Sequence, residues 1–141
     1  MKQYKYLDII YYIISMSIPL VSNNPILTSI PTVEQFKTII ENNKGTIIMK
    51  FGADWCGPCK LIDAQVHKWF DFCAHNRSSV QTYLLDVDDH LDVYGFLKKN
   101  RVVNGVPVIL VYKSANKSFR PDDLVIGANP DEIDALFRRN V

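Results

Sequence analysis

Cysteine is scarce in this chain, with three thiols among 141 residues. Three cannot pair off into a disulfide framework, and a small odd number suits a compartment where thiols stay mostly reduced, with the cytosol as the default. A surplus of either charge is missing too. Sixteen Lys and Arg stand against fifteen Asp and Glu, for a formal net charge of +1, so there is no basic stripe for nucleic acid and no acidic tail. No internal repeat or low-complexity tract interrupts the chain. What is present, 48% hydrophobic and 22% charged residues, suits one globular domain with a sizeable core.

A comfortable membrane span is also lacking. Ile9 to Val21 is a mostly apolar run of 13 residues, behind a Met1 to Asp8 segment with two lysines. That is the size of a signal-peptide core and short for a bilayer. Asp8, Tyr11, Tyr12, Pro19 and the lack of a clean small-residue cleavage site stand against a signal. On a helix, Ile9, Ile10, Ile13 and Ile14 share one face, with Asp8, Tyr12 and Ser15 opposite. Residues 1–24 are therefore expected to form an apolar extension that docks on a partner or a membrane, with a signal or anchor as the alternative.

Alternating patterns beyond residue 24 predict strands interleaved with helices, in the order β-α-β-α-β-α-β-β-α. Pro25 to Ile30 reads as a short strand, and Thr32 to Asn43 as a helix with Thr32 as N-cap and Val33, Phe36, Ile39 and Ile40 on one face. Gly45 marks its stop. Thr46 to Phe51 is a near-continuous apolar run, as expected of a central strand covered on both sides. The pattern then predicts a long helix from Cys59 to about Ala74 and a strand over Val80 to Leu85. A helix capped by Asp88 or Asp89 and running to about Asn100 should follow, with Leu91, Tyr94 and Leu97 as its apolar stripe. Val106 to Tyr112 and Leu124 to Gly127 read as an antiparallel pair, with Lys113 to Asp123 as a mobile surface loop. Asn129, Pro130, Asp131, Glu132, Arg138 and Arg139 sign a last helix from cap to end.

The chemistry concentrates in Trp55-Cys56-Gly57-Pro58-Cys59-Lys60, between the apolar strand and the long helix. Two cysteines three apart in a first helical turn bring their sulfurs within bonding distance, so the pair can cycle between dithiol and disulfide. Cys56 sits where unsatisfied backbone N–H groups and the positive end of the helix dipole favour a thiolate, which makes it the expected nucleophile. Cys59, one turn deeper, would resolve the mixed disulfide. A zinc or iron–sulfur site stays open at this point, since Cys73 and His75 raise the candidate ligands to four. Gly57 and Pro58 between the cysteines and the preceding strand fit redox exchange better.

Trp55 to Cys59 resembles, residue for residue, the active-site signature of the thioredoxin family, and the resemblance extends over roughly residues 25–141. It implies an α/β thioredoxin fold, with a central mixed β-sheet flanked by helices on both faces. It also implies that Val106–Pro107 is a cis bond, turning the Val106 backbone toward the dithiol to pair with an extended substrate, and that Gly127 lies beside the substrate groove. Trp55 would add an apolar rim. The alternative for Pro107 is that it merely starts an edge strand. Two positions depart from the family. Where the family usually buries an aspartate beneath the dithiol to take a proton from the resolving cysteine, this chain has Lys50. Three roles are open to it: a base neutralised by burial, a stem that snorkels its ammonium into solvent, or a retained charge that stabilises the reduced form and makes the disulfide more oxidising. Ala64 replaces the proline that usually kinks the helix.

Other residues carry less. Cys73, fourteen residues beyond Cys59, lies roughly 21 Å along a helix axis and reads as a core thiol. His67, His75 and His90 read as solvated, and Asp86, Asp88 and Asp89 as a strand end plus helix cap. The expected function is protein disulfide reduction, with Cys56 and Cys59 as catalytic residues, no bound cofactor, and an external reductant such as an NADPH-dependent thioredoxin reductase implied by the resemblance. The alternatives are a disulfide oxidase or isomerase in an enclosed or secretory compartment, and a thioredoxin-like interaction subunit. Membrane anchoring, secretion or packaging in a virus particle stand as alternatives to the cytosol.

Overall fold

The computed structural model describes residues 24–141, so the N-terminal extension and its docking lie outside the described residues. Four strands form one mixed sheet, ordered β2-β1-β3-β4, with β1 at Thr46–Gly52, β2 at Val80–Asp86, β3 at Val108–Lys113 and β4 at Asp123–Ile126. β1 runs parallel to β2 and antiparallel to β3, and β4 returns antiparallel beside β3. The helices are α1 at Val33–Glu41, α2 at Gly57–Asn76, α3 at Leu91–Lys99 and α4 at Pro130–Asn140, with a 3-10 turn at Val87–Asp89.

Strand alternation splits the core into two layers. Ile47, Met49 and Phe51 of β1 pack with Phe36 and Ile40 of α1 and with Val93 and Leu97 of α3. Ile48 points to the other face, where Ile62, Val66, Phe70 and Cys73 of α2 meet Ile133, Leu136 and Phe137 of α4. Trp69 stacks on Phe137 with ring centroids 5.1 Å apart, and its indole N–H donates to Asp134 at 2.8 Å. Lys50 belongs by alternation to the α2 face, the one charged residue in a strand otherwise buried as apolar core.

Caps fix the helix starts. Thr32 Oγ1 accepts from Gln35 N–H at 3.1 Å, and Asn129 Oδ1 accepts from Glu132 N–H at 3.2 Å ahead of Pro130. Gly45 is required by close approach: a Cβ there would lie 2.1 Å from the Ser79 carbonyl oxygen, which is bonded to Thr46 N–H at the start of β1.

Three expectations need correction. Pro25 to Ile30 is not a strand; Leu27 alone bridges Tyr83. Neighbouring backbone groups are taken by side chains instead: Gln81 donates to Pro25 O, and Ile30 N–H donates to His90. The helix expected from Asp88 or Asp89 begins at Leu91, because Asp86 caps the intervening 3-10 turn and His90 occupies the N-cap of α3 without a side-chain cap bond. The connection after Lys113 is held down along its length. Tyr112 Oη donates to Phe119 O at 2.7 Å, Asp122 Oδ2 accepts from Lys113 N–H at 2.6 Å, and Phe119 packs on Phe96 at 5.2 Å.

Candidate active site

β1 ends at Gly52, and Ala53 to Trp55 turn the chain into α2, the turn closed by Cys56 N–H donating to Ala53 O at 3.2 Å. The helix starts earlier than the spacing predicted, at Gly57, with Cys56 itself as N-cap. The Cys56 sulfur accepts from Cys59 N–H at 3.1 Å, and Pro58, lacking an N–H, sits in the first turn where none is needed. Cys56 and Cys59 are joined as a disulfide, with Cα atoms 5.3 Å apart. When that bond is reduced, the Cys56 sulfur faces a backbone donor already in place and the positive end of a 20-residue helix, both of which favour the thiolate.

The facing wall comes from the chain before β3. The Val106–Pro107 bond is cis, and the Val106 carbonyl oxygen lies 3.7 Å from Cys56 Sγ. Gly105, at φ 128°, donates its N–H to Tyr94 Oη at 2.8 Å, which anchors this wall to α3. Gly127 has φ 88°, a conformation that favours glycine, and its N–H donates to Pro107 O at 2.9 Å. Gly127 therefore supports Pro107 and has no bond to the sulfurs. Trp55 stands 68% exposed beside the dithiol, its indole N–H donating to Asp88 Oδ2 at 2.9 Å. A Cβ on Gly57 would meet nothing within 4 Å, so the helix start is open to an approaching partner.

Lys50 does not reach solvent. The residue is 4% exposed, and its Nζ pairs with Asp63 of α2. Asp63 is the residue that sequence reading missed; the available signal was its position one helical turn after Cys59, on the same face. Together with Gly52, Cys59 and His67 the pair lines a cleft of about 330 Å³. A carboxylate does line the cleft beside Cys59, contributed by the helix and tied to a lysine from the strand.

The remaining candidates fall outside the site. The four-ligand metal set is not assembled: Cys73 lies in the core near the far end of α2, and no group of three or more His, Cys, Asp or Glu among the described residues could hold a metal. Burial pushes the Cys73 thiol up to about 11, with a small opposing pull from Arg77. His67 and His75 are exposed, whereas His90 corrects the solvated reading. It is 5% exposed, with Nε2 accepting from Ile30 N–H at 3.1 Å and Nδ1 2.7 Å from the Asp86 carbonyl oxygen, an arrangement that fits the neutral ring protonated on Nδ1.

The thioredoxin family model matches residues 28–138. Among curated relatives, thioredoxin-1 of Saccharomyces cerevisiae is 31% identical over 114 residues, covering 81% of this chain and 98% of that protein. Thioredoxin-2 of the same yeast is 29% identical over 115 residues, covering 82% and 99%. Thioredoxin from Trypanosoma brucei brucei superposes with a TM-score of 0.58 at 26% identity, covering 83% and 91%. Oxidised mitochondrial thioredoxin 3 of Saccharomyces cerevisiae does so at 0.61 and 23% identity, covering 84% and 98%. With the signature cysteines joined at the head of α2, this chain belongs to the thioredoxin family and is a protein thiol–disulfide oxidoreductase.

Proposed function

We propose that Cys56 is the attacking thiolate and Cys59 the resolving one, in a reaction that runs toward reduction of protein disulfides. Cys56 Sγ attacks one sulfur of a substrate disulfide, forming a mixed disulfide and releasing the other substrate sulfur as a thiolate. Cys59 Sγ then attacks Cys56, closing the internal disulfide and freeing the second substrate thiol. The substrate gains two electrons and two protons, and the enzyme loses them. An extended substrate segment would lie along the Val106 and Pro107 backbone, which suits recognition through main chain rather than side chains. Trp55 supplies the apolar rim.

The observation that carries this assignment is the Cys56 sulfur at a helix N-cap, in contact with the Val106 carbonyl at 3.7 Å. An NADPH-dependent thioredoxin reductase is the proposed source of electrons, and a thiol-reducing compartment the proposed setting, in keeping with the three-cysteine composition. The buried Lys50 taken alone favours the oxidase reading. Its pairing with Asp63 offsets that charge and favours the reductase. The test is trapping: Cys59→Ser should accumulate a mixed disulfide with a protein substrate through Cys56, and Cys56→Ser should not. Equal trapping by both variants, or by neither, would remove the assignment.

A further inference from the structure

The Lys50–Asp63 ion pair, which shares a cleft with Cys59, is not used by the exchange steps above. Its two halves differ in exposure: the Lys50 side chain is 6% exposed and that of Asp63 45%. The ammonium is the buried, poorly screened charge, and the carboxylate is the solvent-facing one. Lys50 and Cys59 approach each other across Gly52. A Cβ built there would lie 3.3 Å from Lys50 Nζ and 3.6 Å from Cys59 Sγ, so nitrogen and sulfur are separated by no more than the sum of those distances. The lysine has a flexible stem, and the cleft beside it gives the ammonium room to turn.

We propose that Asp63 is a positioning residue for the redox couple: it holds the Lys50 ammonium away from Cys59 and so keeps the disulfide from becoming a strong oxidant. The physical reason lies in the difference between the two redox states. The disulfide is neutral, while the reduced pair carries thiolate character that an adjacent cation stabilises. Released from Asp63, the Lys50 ammonium is free to turn toward Cys59 across Gly52, and the reduced form gains at the expense of the disulfide. The inference rests on Cys56 and Cys59 being the exchanging pair, and does not depend on which direction of exchange the protein performs.

The experiment equilibrates the full chain with mixtures of dithiothreitol and its cyclic disulfide, in which two electrons and two protons pass from dithiothreitol to the Cys56–Cys59 bond. Asp63→Asn should shift the equilibrium about tenfold toward the dithiol, the effect of roughly one pKa unit of released charge, equal to about 30 mV for a two-electron couple. Asp63→Glu, which keeps the charge, should stay near the parent, and Asp63→Asn in a Lys50→Met background should show little of the shift. An unchanged equilibrium in Asp63→Asn would overturn the proposal. So would a shift of equal size in the Lys50→Met background, since the carboxylate would then act without the lysine. If trapping fails while these shifts appear, the assignment of the attacking cysteine falls and the role of Asp63 stands.

Discussion

Replacing His90 with Phe should cost this domain a large share of its stability, although the residue touches neither sulfur. The ring is 5% exposed, accepts from Ile30 N–H at 3.1 Å and places Nδ1 2.7 Å from the Asp86 carbonyl oxygen, which heads the 3-10 turn at Val87–Asp89. Phe keeps roughly the volume and removes both bonds. Leaving the buried Ile30 N–H unsatisfied costs about 1–3 kcal/mol and losing the bond to Asp86 about 0.5–1.5 kcal/mol more, so the substitution should cost about 1.5–4.5 kcal/mol. That is a sizeable fraction of the roughly 5–15 kcal/mol that holds an ordinary domain together. In urea denaturation, with a slope of about 2 kcal/mol per M, the midpoint should fall by about 0.75–2.25 M. A midpoint within about 0.3 M of the parent at unchanged slope would refute the reasoning, and would mean that Ile30 N–H finds another partner when the ring is lost.

Cys73 should make stability depend on alkaline pH. Its thiol rises from the ordinary 9.0 to about 11 through burial, so the folded chain keeps a proton that the unfolded chain releases. The contribution is fully present below about pH 9 and is lost as pH rises through 11, by about 2–3 kcal/mol. Cys73→Ala should flatten the slope of stability against pH in that window, with Tyr83 and Tyr112, also raised by burial, leaving a residual slope. Gly45→Ala should destabilise by about 2 kcal/mol or more, since its Cβ meets the Ser79 backbone oxygen at 2.1 Å; a denaturation midpoint equal to the parent's would show that the turn can yield. Trp55→Ala should leave stability within about 0.5 kcal/mol, because the side chain is exposed. It should lower kcat/KM for a protein disulfide about fivefold through loss of roughly 1 kcal/mol of contact, with a small aromatic disulfide as the comparison that should change little.

Most of the fold was legible because its signals are local. Thr32 and Asn129 announce helices by their side-chain chemistry, and Thr46 to Phe51 announces a covered strand by its apolar run. The cysteine pair was legible for the same reason, its spacing and strand-to-helix context being contiguous in sequence. What failed was non-local. Pro25 to Ile30 has strand-like composition, but its backbone groups are claimed by Gln81 and His90, residues 56 and 60 positions away. His90 looked solvated because nothing near it in sequence predicts burial under Ile30. Lys50 stands out in the sequence as a departure, whereas Asp63 does not, because the two meet only when α2 lies across β1. The length of the Lys113 to Asp123 loop suggests mobility, while Tyr112 and Asp122 hold it through bonds that composition does not reveal.

The central claim is that this dithiol works as a reductant, with Asp63 offsetting the charge of Lys50 beside it. The most direct test is the reduction potential of the Cys56–Cys59 pair in the unaltered chain, titrated against dithiothreitol and glutathione buffers. The account predicts a value near the roughly −270 mV typical of thioredoxins. A value of roughly −180 mV or higher, in the range of disulfide isomerases and oxidants, would contradict it.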